Sequence, residues 1–305
     1  PLYDPLHRTL VCVYGQVFLI DLIEKIEDIV TLINSNTDGI FFKVKTKDVP
    51  ELKRRVSEWE KRTRLGMEYD EFVKFVSKDV NNYVAVRPNG KYHAKGAYVK
   101  ELNDLDYDLP IVNEAVKNYI LFGKPVDETI YECKDFRSFQ KIVKLSSKYK
   151  WVEHEQEYTL KGYKYRGGEI YGYKRTVKYD NKAYRVFASK DKNDGRLLKC
   201  KPLDGVDADE KRWKQYMESN YQIFKDRHGE YVKVYPSGMG YVPGMKPSKF
   251  YKPEHKTAKK DKFGNTPDNC FIYNGDVNNI PIHPKLDREW YVDLATKRLK
   301  DFGVI

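Results

Sequence analysis

One acidic residue, Asp38, stands in the segment Asn36-Thr37-Asp38-Gly39, between the apolar runs Ile29–Asn34 and Ile40–Lys45. Transfer of a phosphoryl group from a nucleoside triphosphate calls for carboxylates that clamp two divalent cations, one activating the attacking hydroxyl and one holding the triphosphate. Magnesium takes one or two protein carboxylates and fills its other positions with water and phosphate. Such a ligand needs a stiff support, and a tight turn between paired strands is one. Gly39 is expected to give the turn a backbone conformation that other residues resist. Asn, Asp and Gly also dominate turns for conformational reasons alone, so in isolation Asp38 reads first as a turn residue, and Asn36 is read as turn chemistry.

A second group of residues could hold a polyanion. Lys246, Lys249, Lys252, Lys256, Lys259, Lys260 and Lys262 are interleaved with Phe250 and Tyr251. Aromatic faces can stack on bases while ammonium groups follow phosphates; a solvated loop is the competing reading. His154 lies between Glu153 and Glu155. Neighbours on a strand point to alternate sides, so this trio is expected to be surface rather than a metal site.

The elements that must position these groups follow from periodicity. Residues 10–27 read as a helix with a broad apolar side, Leu10, Val13, Tyr14, Val17, Leu22 and Ile26, and an Asp21–Lys25 pair on its wet side. Two strands follow around the turn 35–39, the second alternating Ile40, Phe42 and Val44 against Lys43 and Lys45. Asp48 and Glu51 have capping-box spacing ahead of a helix with Val49, Leu52, Val56 and Trp59 on one face. Strands are expected around Met67–Phe75, at Asn82–Val86 and at Lys91–Gly96, the last two joined by the turn 87–90. The chain to about residue 100 is thus helix, hairpin, helix and antiparallel strands, an α+β layer.

Beyond Asp104 short helices are expected at Val112–Tyr119 and, capped by Asp135, over Phe136, Phe139, Ile142 and Val143. Residues 149–200, dense in Tyr, Gly and Lys, read as twisted strands and loops, with the tyrosines of 158–184 as apolar filling. Residues 238–265 read as a loop. A final helix covers Leu286–Phe302, with Trp290, Leu294 and Phe302 on one side.

Taken in order, Tyr14-Gly15-Gln16, Asp21-Leu22-Ile23-Glu24 and Asn36-Thr37-Asp38-Gly39-Ile40 resemble the passage around motif C of B-family DNA polymerases. The usual form there is Asp-Thr-Asp-Ser on a hairpin of the palm, and the present version most resembles the Asn-Thr-Asp-Gly variant of some phage polymerases. The resemblance implies that Asp38 is the main metal ligand, of Mg²⁺, and that Asn36 replaces the first family Asp at the loss of one negative charge. Asn81-Asn82-Tyr83, Lys91, Lys95 and Gly96 are similar to the family's Lys-x-Tyr strand and the Lys-Gly pair that follows it. This implies primer-template contacts by Tyr83, Lys91, Lys95 and Gly96, although Asn81 stands where the family has Lys. For Tyr83 a buried strand aromatic is the competing reading. Leu286-Asp287-Arg288-Glu289-Trp290-Tyr291 and Leu299-Lys300-Asp301-Phe302-Gly303 look like the terminal helix of the same phage enzymes.

On this resemblance the fold expected is α+β: a partial palm over residues 1–103, then a mixed helical and β thumb over 104–305 with a β-rich insertion at about 149–270. The DNA-binding residues then include Lys246, Lys249, Lys252, Lys259 and Lys260. The partners implied are primer-template DNA, a deoxynucleoside triphosphate, and an N-terminal polymerase part or subunit. That partner would carry the exonuclease, the second metal-binding Asp of motif A and the nucleotide-gripping Lys of motif B. The family's order puts all of these before motif C, so the chain alone is expected not to polymerise. Its implied setting is the cytoplasm of a phage-infected bacterium.

Composition agrees with this picture and limits the rivals. The formal charge is +11 with both signs abundant, which suits a polyanionic partner because Lys and Arg displace counterions from phosphates. No apolar run approaches the roughly 18 residues of a membrane span, no signal-peptide pattern is present, and no strongly amphipathic Lys-rich helix suggests a membrane surface. Cys12, Cys133, Cys200 and Cys270 lie far apart with no C-x-x-C pair, and are expected to be reduced structural thiols of an intracellular protein. A second functional class stays open: a non-catalytic nucleic-acid-binding accessory module with a degenerate palm.

Overall fold

The computed structural model describes residues 4–36, 39–100, 108–165, 168–202, 221–225, 228, 230–234 and 258–305. The chain is α+β with antiparallel sheets. It divides into two compact units: residues 1–100, 120–122 and 298–305 form the first, and 101–119 and 123–297 the second.

In the first unit, helix α1 (Pro5–Ile26) starts five residues earlier than the periodicity suggested. Asp4 caps it, its carboxylate accepting from the Leu6 and His7 amides at 3.0 and 3.1 Å, and Pro5 supplies a preset first-turn φ. Only the C-terminal half is buried, through Leu19, Leu22 and Ile26. The expected stripe fails at Val13, Tyr14 and Val17, which are 45, 58 and 54% exposed. Asp21 is not a solvated partner of Lys25. It accepts from Trp59 Nε1 at 2.8 Å and from the Arg62 guanidinium.

Strands β1 (Val30–Ser35) and β2 (Ile40–Val44) pair antiparallel as a hairpin. Helix α2 (Val49–Thr63) follows a 3-10 turn at Thr46–Asp48. The expected capping box does not form. Asp48 already has helical backbone angles, and its side chain makes no cap bond. Glu51 turns instead to Arg54 and Arg55, whose guanidinium groups bond it at 2.7–2.8 Å and hold its carboxyl down at about 2. Leu52, Val56 and Trp59 of α2 are buried against Leu22 and Ile26, with Val30, Ile40, Phe42 and Val44 packed on the same cluster. The hairpin is thus held by a helix pair on one of its faces.

Trp59, at 1% exposure, is the largest side chain in that cluster. Trp59→Ala is expected to cost about 3–5 kcal/mol for the cavity, with a further penalty because half-buried Asp21 loses a donor. Trp59→Phe should lose markedly less. Urea unfolding of the two variants checks this, and equal midpoint shifts for Ala and Phe would count against a packing role.

Strands β3 (Lys74–Asp79), β4 (Asn82–Val86) and β5 (Tyr92–Lys95) form a three-stranded sheet in that order. The strand expected around Met67–Phe75 therefore lies further along. Met67 packs on the helix-pair cluster instead, its amide donating to Glu60 Oε1 at 2.7 Å. The turn 87–90 forms as expected, closed by Gly90 N–H to Arg87 O at 2.9 Å, with Gly90 at φ +78°.

The second unit holds most of α3 (Pro110–Phe122), then α4 (Val126–Glu132), which the sequence reading missed. Phe136–Phe139 is a 3-10 turn capped by Asp135, as expected for its start, but Ile142 and Val143 belong to strand β6 (Lys141–Lys144) rather than to a helix. Two sheets follow. One is six-stranded, built from β7 (Trp151–Tyr165), β8 (Gly168–Tyr179), β10 (Asp194–Pro202), β11 (Tyr221–Lys225), β12 (Tyr231–Val234) and β13 (Ala258–Lys262) in the order β12-β11-β8-β7-β10-β13. The other is three-stranded, with β9 (Ala183–Ala188) between β6 and β14 (Cys270–Ile272). Residues 258–262 are thus an edge strand and not part of a loop.

Helix α5 (Arg288–Asp301) buries Tyr291, Ala295 and Leu299, with Phe302 buried just beyond it as expected, whereas Trp290 and Leu294 are only half-buried. Tyr291 is fully buried, donating to Phe139 O at 2.8 Å and accepting from Ala188 N–H at 3.1 Å.

His154 corrects another expectation. It is 2% exposed, with Nε2 2.7 Å from the Cys270 carbonyl oxygen. Burial disfavours the imidazolium and lowers the pKa, a shift partly offset by the carbonyls of Cys270 and Gly195. The depressed folded-state pKa fixes the sign. Below about pH 6.5, the ordinary His value, the unfolded chain takes a proton that the folded chain resists, so stability falls as pH drops towards the folded pKa. His154→Gln should flatten thermal stability between pH 7 and 5 relative to the parent. An unchanged slope would remove His154 as its source.

Candidate nucleic-acid and metal site

The hairpin presents its turn through three local features. Asn36 N–H donates to Gly39 O at 2.9 Å, closing the bend. The register slips between Leu32 and Asn34, a bulge at Ile33 that the sequence did not signal; such an extra residue sharpens twist and re-aims the side chains after it. At Gly39 the missing side chain leaves room, since a Cβ there would lie 3.3 Å from Asn36 Oδ1. The Asn36 amide thus folds over Gly39, in keeping with turn chemistry. Thr37 and Asp38, the centre of the expected metal site, lie outside the described residues. Among the described residues no group of three or more His, Cys, Asp and Glu side chains could hold a metal ion.

The face of the hairpin away from the helix pair carries Phe41, which joins the three-stranded sheet. Its ring centroid lies 4.8 Å from Phe75 and 5.6 Å from Tyr83, and Tyr83 lies 5.3 Å from Phe75 and 5.7 Å from His93. Tyr83 is 8% exposed, so most of its ring is spent in this cluster. Burial raises the pKa of its hydroxyl. Two cations border the cluster: Lys95 Nζ stands 5.9 Å from the Tyr83 ring centre, and the Arg87 guanidinium 5.9 Å from that of Phe72. Lys91 and Lys95 are both exposed.

The bend before Tyr83 is stiff. Asp79 accepts from Asn81 N–H at 2.8 Å and Asn82 Nδ2 at 2.9 Å, and these donors, with Lys78, hold its carboxyl at about 2. Gly96 follows β5 at φ +99°, where a Cβ would fall 2.1 Å from Asn81 O and 2.3 Å from Asn82 Oδ1. The structure therefore brings Tyr83, Lys95 and Gly96 together, Tyr83 pairing with Lys95 across the sheet.

The remaining expected DNA-binding residues lie in the second unit. Lys246, Lys249 and Lys252 fall outside the described residues. Lys259 is exposed on the edge strand. Lys260 points to the opposite face, its ammonium 2.8 Å from buried Glu153. Burial pushes the thiols of Cys200 and Cys270 up to about 12, so both are protonated and inert at neutral pH.

No protein-family model and no curated protein matches the chain. A family B DNA polymerase from the hyperthermophilic archaeon Pyrobaculum calidifontis is similar in part, at 15% identity and a TM-score of 0.36, over 62% of this chain and 25% of that one. The chain spans a quarter of that polymerase's length. A likeness of this degree assigns neither fold nor function.

Proposed function

We propose that the chain is the C-terminal portion, or a subunit, of a DNA-directed DNA polymerase of phage type, acting in the cytoplasm of an infected bacterium. The observation that supports this reading is the antiparallel hairpin of β1 and β2, bulged at Ile33 and closed from Asn36 to Gly39 around Thr37-Asp38. Asn36 and Gly39, the ends of the segment that resembles motif C, are joined at the tip of this hairpin.

In this reading Asp38, with a carboxylate supplied by the N-terminal partner, holds Mg²⁺, which stabilises charge on the transferring phosphoryl group. In this reading the partner supplies the second carboxylate of that site. Lys91 and Lys95 contact the primer-template backbone, Tyr83 and Gly96 shape the strand beneath them, and the second unit acts as the thumb that grips product duplex through phosphates.

The test is reconstitution with the polypeptide carrying motifs A and B, followed by primer extension. Extension that is lost in Asp38→Ala while duplex binding persists is the expected result. Undiminished extension in that variant would instead favour the non-catalytic accessory module.

A further inference from the structure

Strand alternation sorts the lysines of the six-stranded sheet onto two faces, and the faces differ in charge balance. Register pairs Lys199 with Asp261, Cys200 with Lys260, Lys201 with Lys259 and Leu198 with Lys262. On one face Lys260 is bonded to Glu153 at 2.8 Å and Lys262 to Asp268 at 2.7 Å, so each cation has its own carboxylate. On the other, Lys148, Lys199 and Lys259 surround a single carboxylate, Asp261, and all three help to lower its pKa after the Tyr149 hydroxyl, which donates to it at 2.7 Å. Lys201 lies opposite Lys259, and exposed Lys150 adjoins it, its amide donating to Cys200 O at 2.8 Å. Among the described residues none of these five lysines has an ion pair within 4 Å.

The heads are also pre-positioned. Lys199 Nζ lies 4.9 Å from the Tyr149 ring centre and 5.6 Å from that of Phe263, and Lys148 Nζ lies 5.2 Å from Tyr149. Ammonium groups over aromatic faces are attracted by the ring quadrupole while their stems cover apolar surface. Both rings are themselves buried, at 7 and 6% exposure. They are therefore not free to stack on bases or to enter a bilayer, and no exposed large apolar side chain lies among these residues. Membrane-surface binding draws on apolar insertion as well as charge.

We propose that Lys148, Lys150, Lys199, Lys201 and Lys259 form a phosphate-tracking face that takes the nucleic-acid backbone without reading sequence. The partner class is that of the function proposed above, but this geometry holds independently of Asp38. Polymerase activity could fail its test while the face passes, and the reverse.

The experiment measures binding of the full chain to duplexes of two unrelated sequences against KCl concentration. It compares the parent, the triple variant Lys148→Gln/Lys199→Gln/Lys259→Gln, the same three as Arg, and Lys262→Gln. Each phosphate contact contributes about 0.9 to the slope of log K against log salt, so the triple Gln variant should lose about 2.7 of slope equally on both sequences. The Arg variant should retain the slope, Lys262→Gln should match the parent, and Asp261→Asn should bind more tightly. Melting temperatures confirm that each variant is folded. A triple Gln variant that folds and keeps the parent slope overturns the proposal. So does tighter binding to phosphatidylserine vesicles than to duplex at equal salt, or a sequence preference that survives in the parent.

Discussion

On the proposed function, replacing Asp38 by asparagine is expected to lower primer extension by the complex reconstituted with the motif A and B polypeptide about 10³-fold, with little change in its duplex affinity. The substitution keeps shape and turn propensity, since Asn and Asp favour the same turns, and removes only the negative charge. A metal-stabilised transition state draws several kcal/mol from that charge, and about 4 kcal/mol corresponds to a 10³-fold rate change. Asn36→Asp, which adds a carboxylate two residues away, should not rescue it if Asp38 is the main ligand. Single-turnover extension over a magnesium titration is the measurement. Parent-like rates at saturating magnesium in Asp38→Asn would end the metal-ligand reading.

Gly96→Ala is the second large effect, and its readout is stability. At φ +99° a side chain is strained wherever it points, and here it would meet Asn81 O at 2.1 Å. That oxygen is backbone, held in a bend by Asp79, so it cannot swing aside as a side-chain tip would. Strain of this kind costs about 1–3 kcal/mol and overpacking a similar amount, so a total near 3–5 kcal/mol is expected. Hydrogen exchange of the β4 amides should rise with the loss of global stability. Gly90→Ala makes an instructive comparison, because Gly90 also has positive φ but nothing within 4 Å of its Cβ position; it should cost clearly less. Equal costs would mean that the contact with Asn81 is not what matters.

These cases show what could be read from the sequence. Local signals were legible where one physical cause dominated: the alternation of Ile40, Phe42 and Val44, the stripe of Leu52, Val56 and Trp59, and the turn at 87–90. The hairpin and the pairing of Tyr83 with Lys95 follow from those. Signals failed where tertiary partners decide. Val13, Tyr14 and Val17 have helical spacing, but no described neighbour covers them. Glu51 prefers two guanidinium groups to a cap. His154, flanked by charges in sequence, is buried because its face of β7 packs on the three-stranded sheet, where it meets the Cys270 carbonyl. The bulge at Ile33 and the role of Gly39 as room for Asn36 leave no mark in residue type at all. Of the lysine face in the second unit only Lys259 stood out in the sequence; Lys148 and Lys199 are far from it along the chain, and only strand pairing gathers the three.

The outer half of α1 has a practical corollary. Leu6, Val11, Val13, Tyr14, Val17 and Ile20 are each at least 45% exposed, a greasy ridge of a kind that soluble monomers seldom display. Anions such as sulfate and phosphate, excluded from protein surfaces, drive such ridges together. The isolated chain should therefore precipitate early in ammonium sulfate and stay dispersed in potassium chloride of equal ionic strength.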